Sequence, residues 1–176
     1  PCDTTETAVA WACALERNDG PSSLCLSRQN LPRVTAGVAA EQIRKGGYVL
    51  SAMEDAQAVI VATGSEVEIA LAAQRELAGE GIRARVVSMP STSVFDRQPR
   101  SHRDRVLPPA LPAVAVEAAQ PDFWHKYVGR AGAAVGISSF GESAPAADLY
   151  RHFGLTAERV ADAVRRLVHP GAQDTG

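Results

Sequence analysis

Aromatic residues are scarce in this chain, at 5% of 176 residues. Its core must therefore be built mainly from small aliphatic side chains. Long apolar runs are absent too, and none approaches the ~20 residues that a membrane span needs. Residues 1 to 20 hold no basic segment followed by a clean apolar stretch. Asp3, Glu6, Glu16 and Arg17 interrupt them, which argues against a signal peptide. Excess charge is missing as well: the net charge is −2, so neither nucleic acid nor an anionic membrane is expected as a partner. The three cysteines, Cys2, Cys13 and Cys25, are odd in number and widely spaced. They match neither a disulfide framework nor a zinc pattern, and reduced thiols in a cytoplasmic protein are expected. Catalytic signatures are also lacking. There is no G-x-G-x-x-G fingerprint, Walker A loop or G-x-S-x-G elbow, and His102, His125, His152 and His169 stand at no metal-ligand spacing. A self-contained hydrolase or metalloenzyme is unsupported. The chain opens at Pro1 and not at a methionine, as a piece of a longer protein would.

What is present reads as alternating strands and helices. Apolar residues make up 45% of the chain, ordinary for a globular protein. Asp3 and Glu6 have capping-box spacing, and Ala8, Trp11, Ala12 and Leu15 fall on one face of the helix they open. Asp19, Gly20 and Pro21 stop that helix, and Ser23 to Leu26 suits a short buried strand. Residues 32–56 read as a connector broken by Pro32, Gly37, Gly46 and Gly47, with strand character only at Tyr48 to Leu50. From Gln57 onward, buried strands are predicted at 59–62, 83–88, 113–116 and 134–137. Helices are predicted from a second capping-box spacing at Ser65 and Glu68 to about Glu80, at 121–129, from Pro145 to Phe153, and after Thr156. A short helix is placed near 101–106. Short apolar runs separated by helices imply an α/β fold: a three-layer sandwich with a mostly parallel sheet.

Two features can carry chemistry. Arg28 stands just past the end of an apolar run, where parallel α/β sheets gather their ligands. A guanidinium there either clasps a phosphate with two parallel hydrogen bonds or simply pairs with a nearby carboxylate. The second feature is a set of polar residues at the other strand ends: Thr63, Ser65 and Glu66; Ser88 and Ser91; Glu117; and Ser138, Ser139 and Glu142. On a parallel sheet these share one edge. They either rim a crevice or serve as helix caps and turn formers, and the Gly64-Ser65 turn opens a helix whose amides can hold an anion.

The literal strings narrow the choice. Ser27-Arg28-Gln29-Asn30-Leu31-Pro32, Gly46-Gly47-Tyr48-Val49-Leu50, Ala62-Thr63-Gly64-Ser65-Glu66-Val67 and Arg85-Val86-Val87-Ser88-Met89-Pro90-Ser91 occur in this order. Val116-Glu117-Ala118, Tyr127-Val128-Gly129, Phe140-Gly141-Glu142-Ser143-Ala144-Pro145 and Phe153-Gly154-Leu155-Thr156 follow. In order and spacing these resemble the C-terminal part of the transketolase family, over about Pro1 to Leu167. Arg33 to Arg44 matches no strict family string.

The resemblance implies an enzyme that moves a two-carbon ketol unit between sugar phosphates in the pentose phosphate pathway. Such an enzyme works as a homodimer, with thiamine diphosphate and a divalent metal, magnesium or calcium. It implies residues 1–31 as the remnant of a pyrimidine-binding domain, 32–56 as a linker and 57–168 as the transketolase C-terminal domain, with 169–176 a flexible tail. Arg28 matches the signature arginine that binds the substrate phosphate. The cofactor's glutamate, the metal ligands and the catalytic histidines would lie upstream of Pro1, so neither cofactor nor metal is expected on this segment and it should be inactive alone. Residues 1–30 should be loosely held, because a strand without neighbours leaves backbone groups unpaired. Phe123, Trp124 and Tyr127 serve either as core or as support for the dimer. The alternatives are a fragment of dihydroxyacetone synthase, which shares the architecture but is disfavoured by Gln29-Asn30-Leu31-Pro32, and a separate regulatory or anion-binding α/β domain.

Overall fold

A computed structural model describes residues 1–170. The sheet is built from the apolar runs. β1 (Tyr48–Ser51), β2 (Ala58–Ala62), β3 (Ala84–Ser88), β4 (Ala113–Val116) and β5 (Ala133–Val135) lie in the order β1-β3-β2-β4-β5. β2, β3, β4 and β5 run parallel, and only the edge strand β1 is antiparallel. Every residue of β2 and β4 is buried, as strands covered on both faces require. α3 (Glu66–Gly79) and α8 (Ala157–Val168) cover one face, against Ile60, Val86, Val114 and Val116. α4 (Thr92–Asp96), α5 (Arg100–Val106), a 3₁₀ turn at Pro121–Trp124 and α6 (His125–Val128) cover the other, against Val59, Val61, Val87 and Ala115. The expected three-layer α/β sandwich is therefore present. Among the described residues the remaining helices are α1 (Thr4–Glu16), α2 (Ala40–Ile43) and α7 (Ala146–Phe153).

Local signals were mostly obeyed. The Asp3 carboxylate caps α1 by accepting from the Glu6 amide at 3.0 Å, and Thr156 caps α8 through the Arg159 amide at 3.2 Å. Gly81 takes a left-handed φ of 81° where α3 ends. The expected capping box at Ser65 and Glu68 does not form. Ser65 makes no side-chain cap bond, because its hydroxyl is turned to the Glu66 carboxylate at 2.9 Å. Two short helices, α2 and α4, occupy stretches expected to be irregular. α4 starts where the Ser91 hydroxyl accepts from the Val94 amide at 3.4 Å.

The N-terminal segment departs most from expectation. Ser23 to Leu26 forms no strand, and Leu26 is 53% exposed. It pairs with no strand of the described sheet, and an isolated strand cannot satisfy its own backbone. The apolar face of α1 is not the packed one: Trp11 is 50% exposed and Leu15 80%. α1 instead turns its polar start inward. Glu6 is fully buried, and its carboxylate accepts from the Cys2 amide at 2.7 Å, the Tyr48 hydroxyl at 2.7 Å and the Ser88 hydroxyl at 2.5 Å. Tyr48 and Ser88 are cross-strand partners on β1 and β3, so one register sets both donors. Asp3 adds bonds to the Thr35 amide (2.8 Å) and hydroxyl (2.7 Å). Burial opposes its ionisation. The Thr35 hydroxyl and the Glu6 and Thr35 amides outweigh that and hold the carboxyl below the usual aspartate range.

β1 reaches the sheet through a glycine pair. Gly46 has φ +78°, and a Cβ there would run into the Ser91 carbonyl and lie 2.7 Å from the Phe95 amide. A Cβ on Gly47 would lie 2.7 Å from the Phe95 ring. No other residue lets the connector cross α4 this closely.

Tyr48→Phe removes one donor from a buried carboxylate and keeps the ring. It should cost about 1.5–3 kcal/mol in urea unfolding. Amide exchange should remain slow at Glu6 and Thr7 and fast across residues 20–28; uniform fast exchange over 1–30 would show that the clamp does not hold α1.

Candidate functional site

The four parallel strands end on one edge, and the topology reverses there. β3 lies on one side of β2 and β4 on the other. An open cavity of about 1210 Å³ sits at this reversal, the place where α/β sheets form ligand crevices. Thr63, Ser65 and Glu66 line it from the end of β2, Ser91 from the end of β3, and Glu117 from the end of β4. These five of the predicted strand-end residues are brought together. Ser88 is not among them, because it is fully buried and spent on Glu6. Ser138, Ser139 and Glu142 stand exposed on the loop after β5, outside the lining.

Two carboxylates stand at the strand ends of this crevice, whose lining also includes Arg17, Arg44 and Arg97. Glu66 opens α3, is 4% exposed, and accepts from the Ser65 hydroxyl at 2.9 Å and the Tyr150 hydroxyl at 2.7 Å. Glu117 accepts from the indole N–H of Trp124 at 2.7 Å. Burial pushes its carboxyl above the usual glutamate range. The Trp124 bond pulls it down and the nearby Glu66 pushes it up. Glu66 thus places a carboxyl group in the first turn of α3, next to the Gly64-Ser65 turn. Trp124 is buried and Tyr127 half-buried, its hydroxyl 3.2 Å from Asp96, whereas Phe123 is 53% exposed. Trp124 and Tyr127 are therefore core.

Arg28 lies outside this crevice. It is exposed, on a segment without helix or strand, and no ion pair among the described residues engages it. The residues after it are docked. Gln29, Asn30 and Leu31 line a second cavity, of about 440 Å³, against Ile69 and Ala72 of α3 and Tyr150 of α7. The Gln29 side-chain amide donates to the Tyr150 hydroxyl at 3.1 Å, and that hydroxyl donates in turn to Glu66 at 2.7 Å. Burial, opposed by Ser65 and reinforced by Glu66, pushes the Tyr150 phenol up to about 12. Nothing in the spacing of Gln29, Glu66 and Tyr150 along the sequence announced this chain of bonds. No group of three His, Cys, Asp or Glu side chains comes together among the described residues.

The family model for the transketolase-like C-terminal domain matches residues 46–156. The chain belongs to the transketolase family. It is 54% identical over 169 residues to a chromosomal transketolase of Cupriavidus necator, a match that covers 96% of this chain and 25% of that protein. Among solved transketolases, that of Leishmania mexicana is 46% identical with a TM-score of 0.89, over 100% of this chain and 26% of the other. A transketolase of Pichia stipitis, solved in complex with sedoheptulose 7-phosphate, is 39% identical with a TM-score of 0.89, over 96% of this chain and 24% of the other. The chain thus spans about a quarter of the transketolases it matches.

Glu117→Gln keeps an oxygen for Trp124 and removes the charge. The folded chain holds this carboxyl above the ordinary value of 4.5. Ionisation therefore costs stability as pH rises from the unfolded value through the folded one. Glu117→Gln should melt higher than the unsubstituted chain at pH 7, by on the order of 1–3 °C. The gap should close as pH falls below about 4. A gap unchanged at low pH would mean packing and not charge.

Proposed function

We propose that this chain is the C-terminal part of a transketolase, an enzyme that transfers a two-carbon ketol unit between sugar phosphates in the pentose phosphate pathway. The supporting observation is the 54% identity to a named transketolase across 96% of the chain, at about a quarter of that protein's length. On this reading residues 1–31 close the pyrimidine-binding domain, 32–56 link it to the next, and 57–168 are the C-terminal domain. Residues 169–170 begin the tail, and 171–176 lie outside the described residues. The parent is a cytoplasmic homodimer that carries thiamine diphosphate and magnesium or calcium on its other domains. The segment alone does not catalyse.

Arg28 binds the substrate phosphate. Its exposure and its freedom from ion pairs suit a guanidinium kept for an incoming anion. The sugar phosphate in the Pichia stipitis complex has the matching chemistry. The identity to a named transketolase over 96% of the chain disfavours a separate anion-binding domain.

Ketol transfer from xylulose 5-phosphate to ribose 5-phosphate tests both parts. The isolated chain should show no turnover. In the full-length parent, Arg28→Ala should lower kcat/KM for phosphorylated donors about 10- to 100-fold, the worth of a charge-assisted pair. Turnover by the isolated chain would overturn the fragment reading, and an unaffected Arg28→Ala enzyme would overturn the phosphate role.

A further inference from the structure

Arg28 must meet its phosphate in a fixed place, yet the backbone leading to it has no regular structure from residue 17 onward. Each residue fixed only on binding costs about 1–2 kcal/mol of backbone entropy. A segment that is already held avoids that cost, so whatever holds it contributes to substrate affinity. The hold begins at the next residue. Gln29 donates to Tyr150 at 3.1 Å, Tyr150 donates to Glu66 at 2.7 Å, and the Ser65 hydroxyl completes the set at 2.9 Å. The chain of bonds ends on a carboxylate that is 4% exposed, fixed in the first turn of α3 beside the sheet. Gln29, Asn30 and Leu31 border an open cavity of about 440 Å³ against α3 and α7. A directional bond from Gln29 gives the segment a fixed position at its rim.

We infer that Tyr150 and Glu66 are positioning residues for Arg28: the C-terminal domain acts in the reaction by holding the substrate-phosphate arginine in place through Gln29. This rests on the phosphate role of Arg28 given above. It gives the domain a task that the acid pair at the strand ends alone would not. Tyr150 acts through the segment it holds, its hydroxyl being bonded to Gln29 and Glu66. Its hydroxyl is the one atom in the relay that both accepts from Gln29 and donates to Glu66, so its removal separates the two ends.

The test uses the full-length parent enzyme with its cofactor and two donors, xylulose 5-phosphate and the unphosphorylated ketose erythrulose. Tyr150→Phe should raise KM for the phosphorylated donor about 3- to 10-fold, the worth of one neutral hydrogen bond. Its kcat should hold, and the parameters for erythrulose should not change. Glu66→Ala should do the same, and Glu66→Gln, which keeps an acceptor for Tyr150, should recover most of the loss. In an Arg28→Ala background, Tyr150→Phe should add nothing. In the isolated chain, Tyr150→Phe should speed tryptic cleavage after Arg28 several-fold relative to cleavage after Arg130. Equal losses for both donors, no loss for either, or effects that add to those of Arg28→Ala would overturn the positioning role. If Arg28→Ala itself fails to separate the two donors, the phosphate reading falls, and the positioning role with it. If Arg28→Ala separates them and Tyr150→Phe does not, only the positioning role falls.

Discussion

The buried carboxylate of Glu6 is the constraint around which the N-terminal third of the chain is arranged. A charge taken fully out of water is tolerated only when donors replace its hydration. Glu6 has three such donors, drawn from its own N-terminal turn, from β1 and from β3. They can converge only if β1 pairs with β3 in the register that sets Tyr48 opposite Ser88. The antiparallel edge strand, the glycine crossing over α4 and the seat of α1 are thus one solution to one electrostatic problem. The same environment pushes the Tyr48 phenol and the Cys2 thiol up, through burial first and the neighbouring carboxylate second. Both groups stay protonated.

A second buried carboxylate, Glu66, does for the end of β2 what Glu6 does for β1 and β3. Its partners are hydroxyls and not guanidinium groups. Neutral donors satisfy the oxygens without bringing in a cation that would need its own shell. By contrast, Arg165 is shared among Glu76, Glu80 and Asp162 where α8 meets α3, a partly exposed network that pins two helices.

The transketolase kinship and the α/β sandwich were legible because their signals are local. β2 and β4 are unbroken apolar runs, and Asp3 and Thr156 cap their helices through residues three positions away. The family strings around Arg28 and Glu66 are contiguous. The errors are equally specific. Ser23 to Leu26 has the composition of a strand, but a strand exists only with a neighbour, and it pairs with no strand of the described sheet. Trp11 and Leu15 mark an apolar face on α1, but the chain offers that face no partner. α2 and α4 are too short for periodicity to reveal them.

By itself the sequence determined the alternation of strands and helices from β2 onward, the mostly parallel sheet and the family, since each depends on residues close together along the chain. Tertiary structure alone decided which acids are buried, which strand-end residues share the crevice, and that Gln29 reaches Tyr150 across 121 positions. Those outcomes depend on desolvation and on hydrogen-bond geometry between distant segments. They come into being only when the sheet has brought its ends together.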